Sequence, residues 1–197
     1  MSAPLRLEDI SDLRAYEHER DELRRQVIEL KRIRRIGIGP IVSAVLESRT
    51  TIRFQVQEMV RAERIIEDVR VQDELDAYNP LIPGPGQLCL TLFLELTSED
   101  LLREWLPKLV GIEQAVLLVI GEGDDALELR DDVEEAHASQ LTREDVTSSV
   151  HYVRITVPEA ARSRLATDRV VLRIDHPAYT HEVELSPETK ASIVADW

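Results

Sequence analysis

The sequence predicts an α+β protein in which a long N-terminal helix and short helices pack on a mostly antiparallel sheet. Apolar residues keep an alternating three–four spacing through residues 8–35, with no Gly or Pro until Gly37, which is the seam of a packed helix. After residue 84 a strand–helix–strand pattern occurs twice. With 43% of its 197 residues hydrophobic, the chain can bury a core, which excludes wholesale disorder.

In the first helix the seam is Leu13, Tyr16, Leu23, Val27 and Leu30; Asp9 can cap its start, and Gly37, Gly39 and Pro40 end it. Arg20 falls between Tyr16 and Leu23, where an apolar residue is expected. Either its stem packs while the head reaches water, or the head is aimed at a buried carboxylate or an anionic ligand. Two short strands, 41–46 and 51–54, flank Glu47-Ser48-Arg49-Thr50 and read as a β-hairpin. A second helix is expected over 55–67, with Val56, Met59, Val60, Ile66 and Val69 on one apolar stripe and Glu63 in its middle. A third, 71–78, presents Val71, Leu75 and Tyr78 to the core and stops at Asn79-Pro80. The Pro- and Gly-rich loop 80–86 then separates a helical N-terminal part with a hairpin, 1–83, from strand–helix–strand units in 84–197. Together the two parts make one compact domain.

The first unit reads as strand 88–96, helix 98–109 and strand 115–120, and the second as strand 150–157, helix 158–165 and strand 169–174. Ser98, followed by Glu99 and Asp100, and Pro158 are good helix starters. The units are expected to build one sheet with helices on a single face, as from an internal duplication. Between them, residues 121–148 carry Asp124, Asp125, Asp131, Asp132, Glu134 and Glu135 and read as a solvated acidic loop with a helical turn. Their spacing does not match a calcium loop. A strand at 181–185 and a short helix from Ser186-Pro187-Glu188 complete the pattern.

The balance of 38 acidic against 24 basic side chains, net −14, argues against a nucleic-acid binder. No apolar run approaches the roughly 20 residues of a membrane span, and MSAPLRLEDI lacks the basic-then-apolar pattern of a signal peptide. The single cysteine, Cys89, lies in an apolar strand and excludes an internal disulfide and any Cys-only metal site. A cytoplasmic location is expected.

There is no phosphate-binding Gly loop, no nucleophile elbow and no His-Glu-x-x-His helix. The candidates are instead polar residues in unusual places. A carboxylate on an apolar face, such as Glu63, must be paired, hydrogen-bonded, metal-bound or protonated. A buried Arg20–Glu63 pair would account for both residues. The metal reading takes Glu63 with Glu58 or Glu74 plus His176, an oxygen–nitrogen set suited to iron, manganese or another divalent ion. His176 follows a strand directly, in Asp175-His176-Pro177-Ala178-Tyr179, on a rigid platform of the kind that holds site residues. His151 and Tyr152 begin a strand on which one of the two should face solvent. The basic run Arg24, Arg25, Lys31, Arg32, Arg34 and Arg35 offers a surface for an acidic partner or a second copy.

The strings RRIGIGP (34–40), TIRFQVQEMVRAERI (51–65), ELDAYNPLIP (74–83), LVGIE (109–113), VHYVRI (150–155) and IDHPAY (174–179) resemble a bacterial family known only as a domain of unknown function. The resemblance spans nearly the whole chain. Genes of that family often stand beside genes for rubrerythrin-like proteins and for iron–sulfur oxidoreductases resembling heterodisulfide reductase subunits, which implies a peroxide-related or electron-transfer context. The same strings contain Arg53, Gln57, Glu58, Arg61 and Glu63, then Glu74, Tyr78 and Asn79, then Asp175, His176 and Tyr179.

The leading expectation is an accessory or partner-binding protein of a redox system, with rubrerythrin-like or iron–sulfur proteins as partners and no cofactor evident. A seam as long as that of the first helix needs a partner surface, which a homodimer through this helix would supply. The rival is an enzyme or metal-binding protein with a site of Glu58, Glu63, Glu74, Tyr78 and His176. Convergence of these groups in a concave site favours chemistry, and dispersal favours a binding module.

Overall fold

Helix α1 (Leu13–Arg34) begins at Asp12, whose carboxylate accepts the N–H groups of Arg14 and Ala15 at 2.9 Å. In the computed structural model, which describes residues 3–130 and 146–197, Asp9 is therefore not the cap. It closes a preceding 3-10 turn, Leu7–Asp9, and pairs with Arg49 at 2.7 Å. Tyr16, Leu23 and Val27 of the seam are buried, and α1 packs on α2 (Arg49–Ala62), on the first two strands and on the last helix. The seam thus finds its partner surface within the chain.

The glycines expected to stop α1 instead turn a hairpin. Strand β1 (Arg35–Gly37) pairs antiparallel with β2 (Val42–Leu46), Ile36 opposite Ala44. Gly39 has φ 74°, and a Cβ there would lie 2.5 Å from the Tyr179 hydroxyl, so both backbone freedom and close approach demand glycine.

The hairpin expected between 41–46 and 51–54 does not form, because 51–54 lies within α2. Ser48 caps that helix: its Oγ accepts from Thr51 N at 3.2 Å, while Thr51 Oγ1 accepts from Ser48 N at 2.8 Å. Ile52, Val56 and Val60 recur every four residues and are all buried. A reciprocal cap and a helical period outweigh the β-branched and aromatic content of Thr-Ile-Arg-Phe. α2 ends at Ala62 rather than 67, because Arg64 takes φ 54°. Ile65 N then donates to Val60 O at 2.9 Å and Arg64 N to Arg61 O at 3.2 Å, a Schellman closure built without glycine. Helix α3 (Asp68–Tyr78) follows and gives way to a 3-10 turn, Asn79–Leu81.

Strand β3 (Gln87–Leu94) lies between β2 and β6 (Val150–Thr156), giving the order β1-β2-β3-β6. β4 (Val116–Ile120) lies between β5 (Leu127–Arg130) and β7 (Val170–His176), and β7 pairs with β8 (Tyr179–Glu184), giving β5-β4-β7-β8. All pairs are antiparallel. Helix α4 (Glu99–Trp105) links β3 to β4, and α5 (Arg162–Thr167) links β6 to β7. Each strand–helix–strand unit therefore crosses from one sheet to the other, where a single sheet was expected. β3 pairs with β6 and β4 with β7, the pattern that a two-fold relation between the units produces. The cause is visible in the side chains: Leu88, Leu90 and Leu92 of β3 share one buried cluster with Val116, Leu118 and Ile120 of β4. Two sheets stacked face to face bury both sets.

β5 occupies part of the region read as an acidic loop, preceded by a 3-10 turn at Gly123–Asp125. The rest of that expectation, residues 131–145 with Asp131, Asp132, Glu134, Glu135 and His137, lies outside the described residues. Helix α6 (Pro187–Val194) sends Ile193 into the sandwich core and is tied to α1. Thr189 Oγ1 donates to Ile33 O at 2.6 Å, and buried Arg34 donates to Ser192 Oγ at 2.8 Å and pairs with Asp196 at 2.7 Å. Arg34, read as part of a surface basic run, is an internal tie. Among the described residues no helix is long and apolar enough to cross a membrane.

Candidate functional site

The polar residues of α2 and α3 turn towards the segment that precedes α1. Gln57, fully buried, accepts from Ser11 N at 2.9 Å and donates to Ser11 O at 2.8 Å. Asn79 treats Leu5 in the same way, accepting from its N–H at 2.7 Å and donating to its C=O at 3.0 Å. Each amide presents one acceptor and one donor, so it pairs with a whole backbone unit as a neighbouring strand would. Arg53 donates to Asp9 O at 2.7 Å, and Arg49 to Ala3 O at 3.0 Å. Leu5 is thereby seated in the apolar cluster of Ile52, Val56, Val60, Val71 and Leu75.

Arg20 does not meet Glu63. It grips Glu58 with two hydrogen bonds, Nε to Oε1 at 2.7 Å and Nη2 to Oε2 at 2.8 Å, and the Tyr16 hydroxyl donates to Oε1 at 2.7 Å. The Arg20 contact holds the Glu58 carboxyl below its usual range against the opposing effect of burial, and the Tyr16 hydroxyl adds to the lowering. Burial first, then the bond to Glu58, raises the Tyr16 phenol. The expected Arg20–Glu63 pair fails because α2 closes at Ala62, which leaves Glu63 at the exposed C-cap, while Glu58, inside the helix, faces α1. There Glu63 pairs with Arg70 at 3.1 Å. Arg61 pairs with Glu17 at 2.6 Å. Burial, with the charge of Glu63 nearby, raises the Glu74 carboxyl above its usual range. Tyr78 packs against the α2–α3 apolar cluster.

His176 ends β7 and has both ring nitrogens engaged. Nε2 donates to Val110 O at 3.1 Å, and Nδ1 accepts from Ala178 N at 3.2 Å. A neutral ring in that state has no lone pair left for a metal. Tyr179 donates its hydroxyl proton to Ile38 O at 2.6 Å and accepts from Ile41 N at 3.2 Å, tying the β7–β8 turn to the β1–β2 turn. Among the described residues no three His, Cys, Asp or Glu side chains are grouped so as to hold a metal ion.

One acid–base pair escaped the sequence reading. His151 is 2% exposed and Glu113, in the 3-10 turn Ile112–Ala115, is 4% exposed. His151 Nδ1 lies 3.4 Å from Glu113 Oε2, while Nε2 faces Ser148 O at 2.8 Å and Thr147 Oγ1 at 3.0 Å. A carbonyl only accepts, so Nε2 carries a proton. Burial lowers the His151 pKa, opposed by the Glu113 charge and the Ser148 carbonyl. The signal was present in the sequence: His151 has the same strand parity as Val153 and Ile155, so it points inward with them. Tyr152, on the other parity, is partly buried, so neither residue is left facing open solvent.

A concave surface does exist where the N-terminal segment meets α2 and α3. A cleft of about 320 Å³ is walled by Leu7, Ile10, Leu13, Val60, Ile65 and Val71. Ile66, 77% exposed, is also part of its lining, and Val69, 74% exposed, follows the lining residue Asp68 in sequence. Arg14 and Asp68 also line the cleft, and neither makes an ion pair with a described residue.

Residues 4–197 match the family described as Protein of unknown function (DUF3501). A crystal structure of a protein of unknown function from Burkholderia pseudomallei K96243 superposes with a TM-score of 0.87 at 32% sequence identity. The match covers 98% of this chain and 99% of that one. No curated protein matches the chain.

Proposed function

The chain belongs to the family of proteins of unknown function DUF3501, and for it we propose a partner-binding, accessory role in a bacterial redox system. The observation that carries this reading is how the candidate polar side chains are used. Glu58 is engaged by Arg20 and Tyr16, Gln57 and Asn79 by backbone, Glu63 by Arg70 and His176 by Val110 and Ala178. These groups fasten elements together instead of converging on a cleft, and a reacting centre needs convergence. The apolar and charged surface that remains suits recognition. The redox context rests on the gene neighbourhood implied by the resemblance, with rubrerythrin-like and iron–sulfur proteins as the partners to try.

The test is calorimetry of the purified protein against the purified rubrerythrin-like and heterodisulfide-reductase-like proteins of the same bacterium, with elemental analysis alongside. Saturable binding to one of them, with the protein metal-free, is expected. Stoichiometric iron, manganese or zinc that is lost with Glu58→Gln or His176→Gln, and no binding to either protein, would reverse the reading in favour of a metal site.

A further inference from the structure

We propose that the face of α2 and α3 that seats residues 3–11 is a binding groove for an extended segment of a partner protein. The chain's own N-terminal segment occupies this groove until the partner's segment displaces it. The inference rests on the partner-binding reading, to which it adds a surface and a control, and it does not depend on the redox context.

The argument starts from how residues 3–11 are held. Arg49 and Arg53 donate to the carbonyls of Ala3 and Asp9, at 3.0 and 2.7 Å. Asn79 pairs with both backbone groups of Leu5, at 2.7 and 3.0 Å, and Gln57 with both of Ser11, at 2.9 and 2.8 Å. Contacts of this kind do not depend on which side chains the segment carries. One side chain is seated in depth: Leu5, 3% exposed, lies among Ile52, Val56, Val60 and Leu75. Ala3, Pro4, Arg6, Leu7 and Glu8 stay exposed. Main-chain hydrogen bonds for affinity and a side-chain pocket for specificity are the division of labour by which a groove takes an extended peptide.

The segment can also leave without breaking a helix or a sheet. Among the described residues its backbone-to-backbone hydrogen bonds run within itself, Asp9 N to Arg6 O and Ile10 N to Leu7 O. Nor does it fill its seat, since a cleft of about 320 Å³ stays open among Leu7, Ile10, Val60, Ile65 and Val71. A tethered occupant is kept in place by its high local concentration and tolerates such a gap. The partner segment that displaces it therefore carries a leucine for the Leu5 seat and bulkier apolar residues two and five places further on, where they bury more surface.

Fluorescence anisotropy with a labelled, end-capped peptide of residues 3–12, Ala-Pro-Leu-Arg-Leu-Glu-Asp-Ile-Ser-Asp, tests the proposal on the full chain. Leu5→Asp in the protein unseats the resident segment, and this variant is expected to bind the peptide saturably. The wild type should bind it at least tenfold more weakly, because its own segment competes. Adding Asn79→Ala to the Leu5→Asp protein should weaken binding at least tenfold, and so should Leu5→Asp in the peptide. In the wild type alone, the amides of Leu5 and Ser11 should exchange with solvent at least tenfold faster than those of β3 and β7. A folded Leu5→Asp protein that ignores the peptide overturns the proposal, as does a wild type that binds it equally well, or Leu5 and Ser11 amides as slow as the strands. A Leu5→Asp protein that fails to fold overturns it too, since the segment would then be part of the core. A redox protein that binds wild type and Leu5→Asp equally would overturn the groove as the partner surface and leave the accessory role standing.

Discussion

Leu118 and Gln57 are both fully buried, one at the centre of the strand sandwich and the other in the helical layer. Leu118 packs among apolar side chains from both sheets and the segments that join them. Gln57 is held by two hydrogen bonds to the backbone of Ser11, and its neighbours Arg53, Glu58 and Asn79 are held in the same directional way. Hydrocarbon packing is nearly indifferent to orientation, so the sandwich is secured by the amount it buries. An amide clamp works only at one register, so the helical layer is secured by a few fixed points. This is why the odd polar residues of the first half read as a site from sequence: polar fasteners and binding groups share the same chemistry.

Paired substitutions can break that contrast. Leu118→Ala should cost about 3–5 kcal/mol in global stability, because it opens a cavity in a core that can collapse only partly. Gln57→Ala should cost about 2 kcal/mol, from two lost bonds and two stranded backbone groups at Ser11. The sharper difference is spatial. Hydrogen exchange in Leu118→Ala should rise throughout the molecule, whereas in Gln57→Ala it should rise in residues 3–12 while β3 and β7 keep their protection. If Gln57→Ala loosens the strands as much as the N-terminal segment, the two regions form one cooperative unit and the contrast is wrong.

The Tyr16–Arg20–Glu58 group lets acid pick out the helical layer. The folded-state pKa of Glu58 is depressed below its ordinary value of 4.5. A depressed carboxylate contributes stability above its unfolded pKa and loses that contribution as pH falls through the folded value. Glu58→Gln should therefore lower stability by about 1 kcal/mol at pH 7, a modest figure because the pair is partly exposed and screened. The penalty should shrink as pH drops below 4.5. Melting temperatures of wild type and variant at pH 7 and in acid decide the matter, since a constant difference would mean that the carboxylate charge is not what holds α1 to α2.

What the sequence made legible follows from how local each signal is. The two strand–helix–strand units were readable because Leu88, Leu90 and Leu92 alternate within one strand and Ser98 caps at short range. Their assignment to two sheets was not readable, because alternation shows that a face is buried and not which strand covers it. Glu63 was singled out as the carboxylate in need of a partner, whereas Glu58 is the one that meets Arg20. The expected helix ran on to residue 67, but α2 ends at Ala62, so Glu63 leaves the helix before it can take a place on the apolar stripe. His151 was missed although its parity was plain, since a histidine beside Tyr152 looks like a strand end. Gln57 and Asn79 could be flagged, but their partners are backbone groups of residues 5 and 11, on which sequence places no mark.

The smallest expected effect concerns the end of α2, at one residue. α2 ends early because Arg64 occupies the left-handed region at φ 54°, where a Cβ crowds the following carbonyl at a cost of roughly 1–2 kcal/mol. The closure persists because Ile65 then reaches the buried apolar cluster while its N–H satisfies Val60 O. Glycine removes the crowding and gives back part of the gain through greater freedom in the unfolded chain. Arg64→Gly should therefore raise stability by about 0.5–1 kcal/mol in urea melts. Arg64 is exposed and its side chain has no ion pair with a described residue, so little is lost with it. A loss of stability instead would mean that the arginine side chain holds the α2–α3 turn, which would add this turn to the polar fasteners of the helical layer.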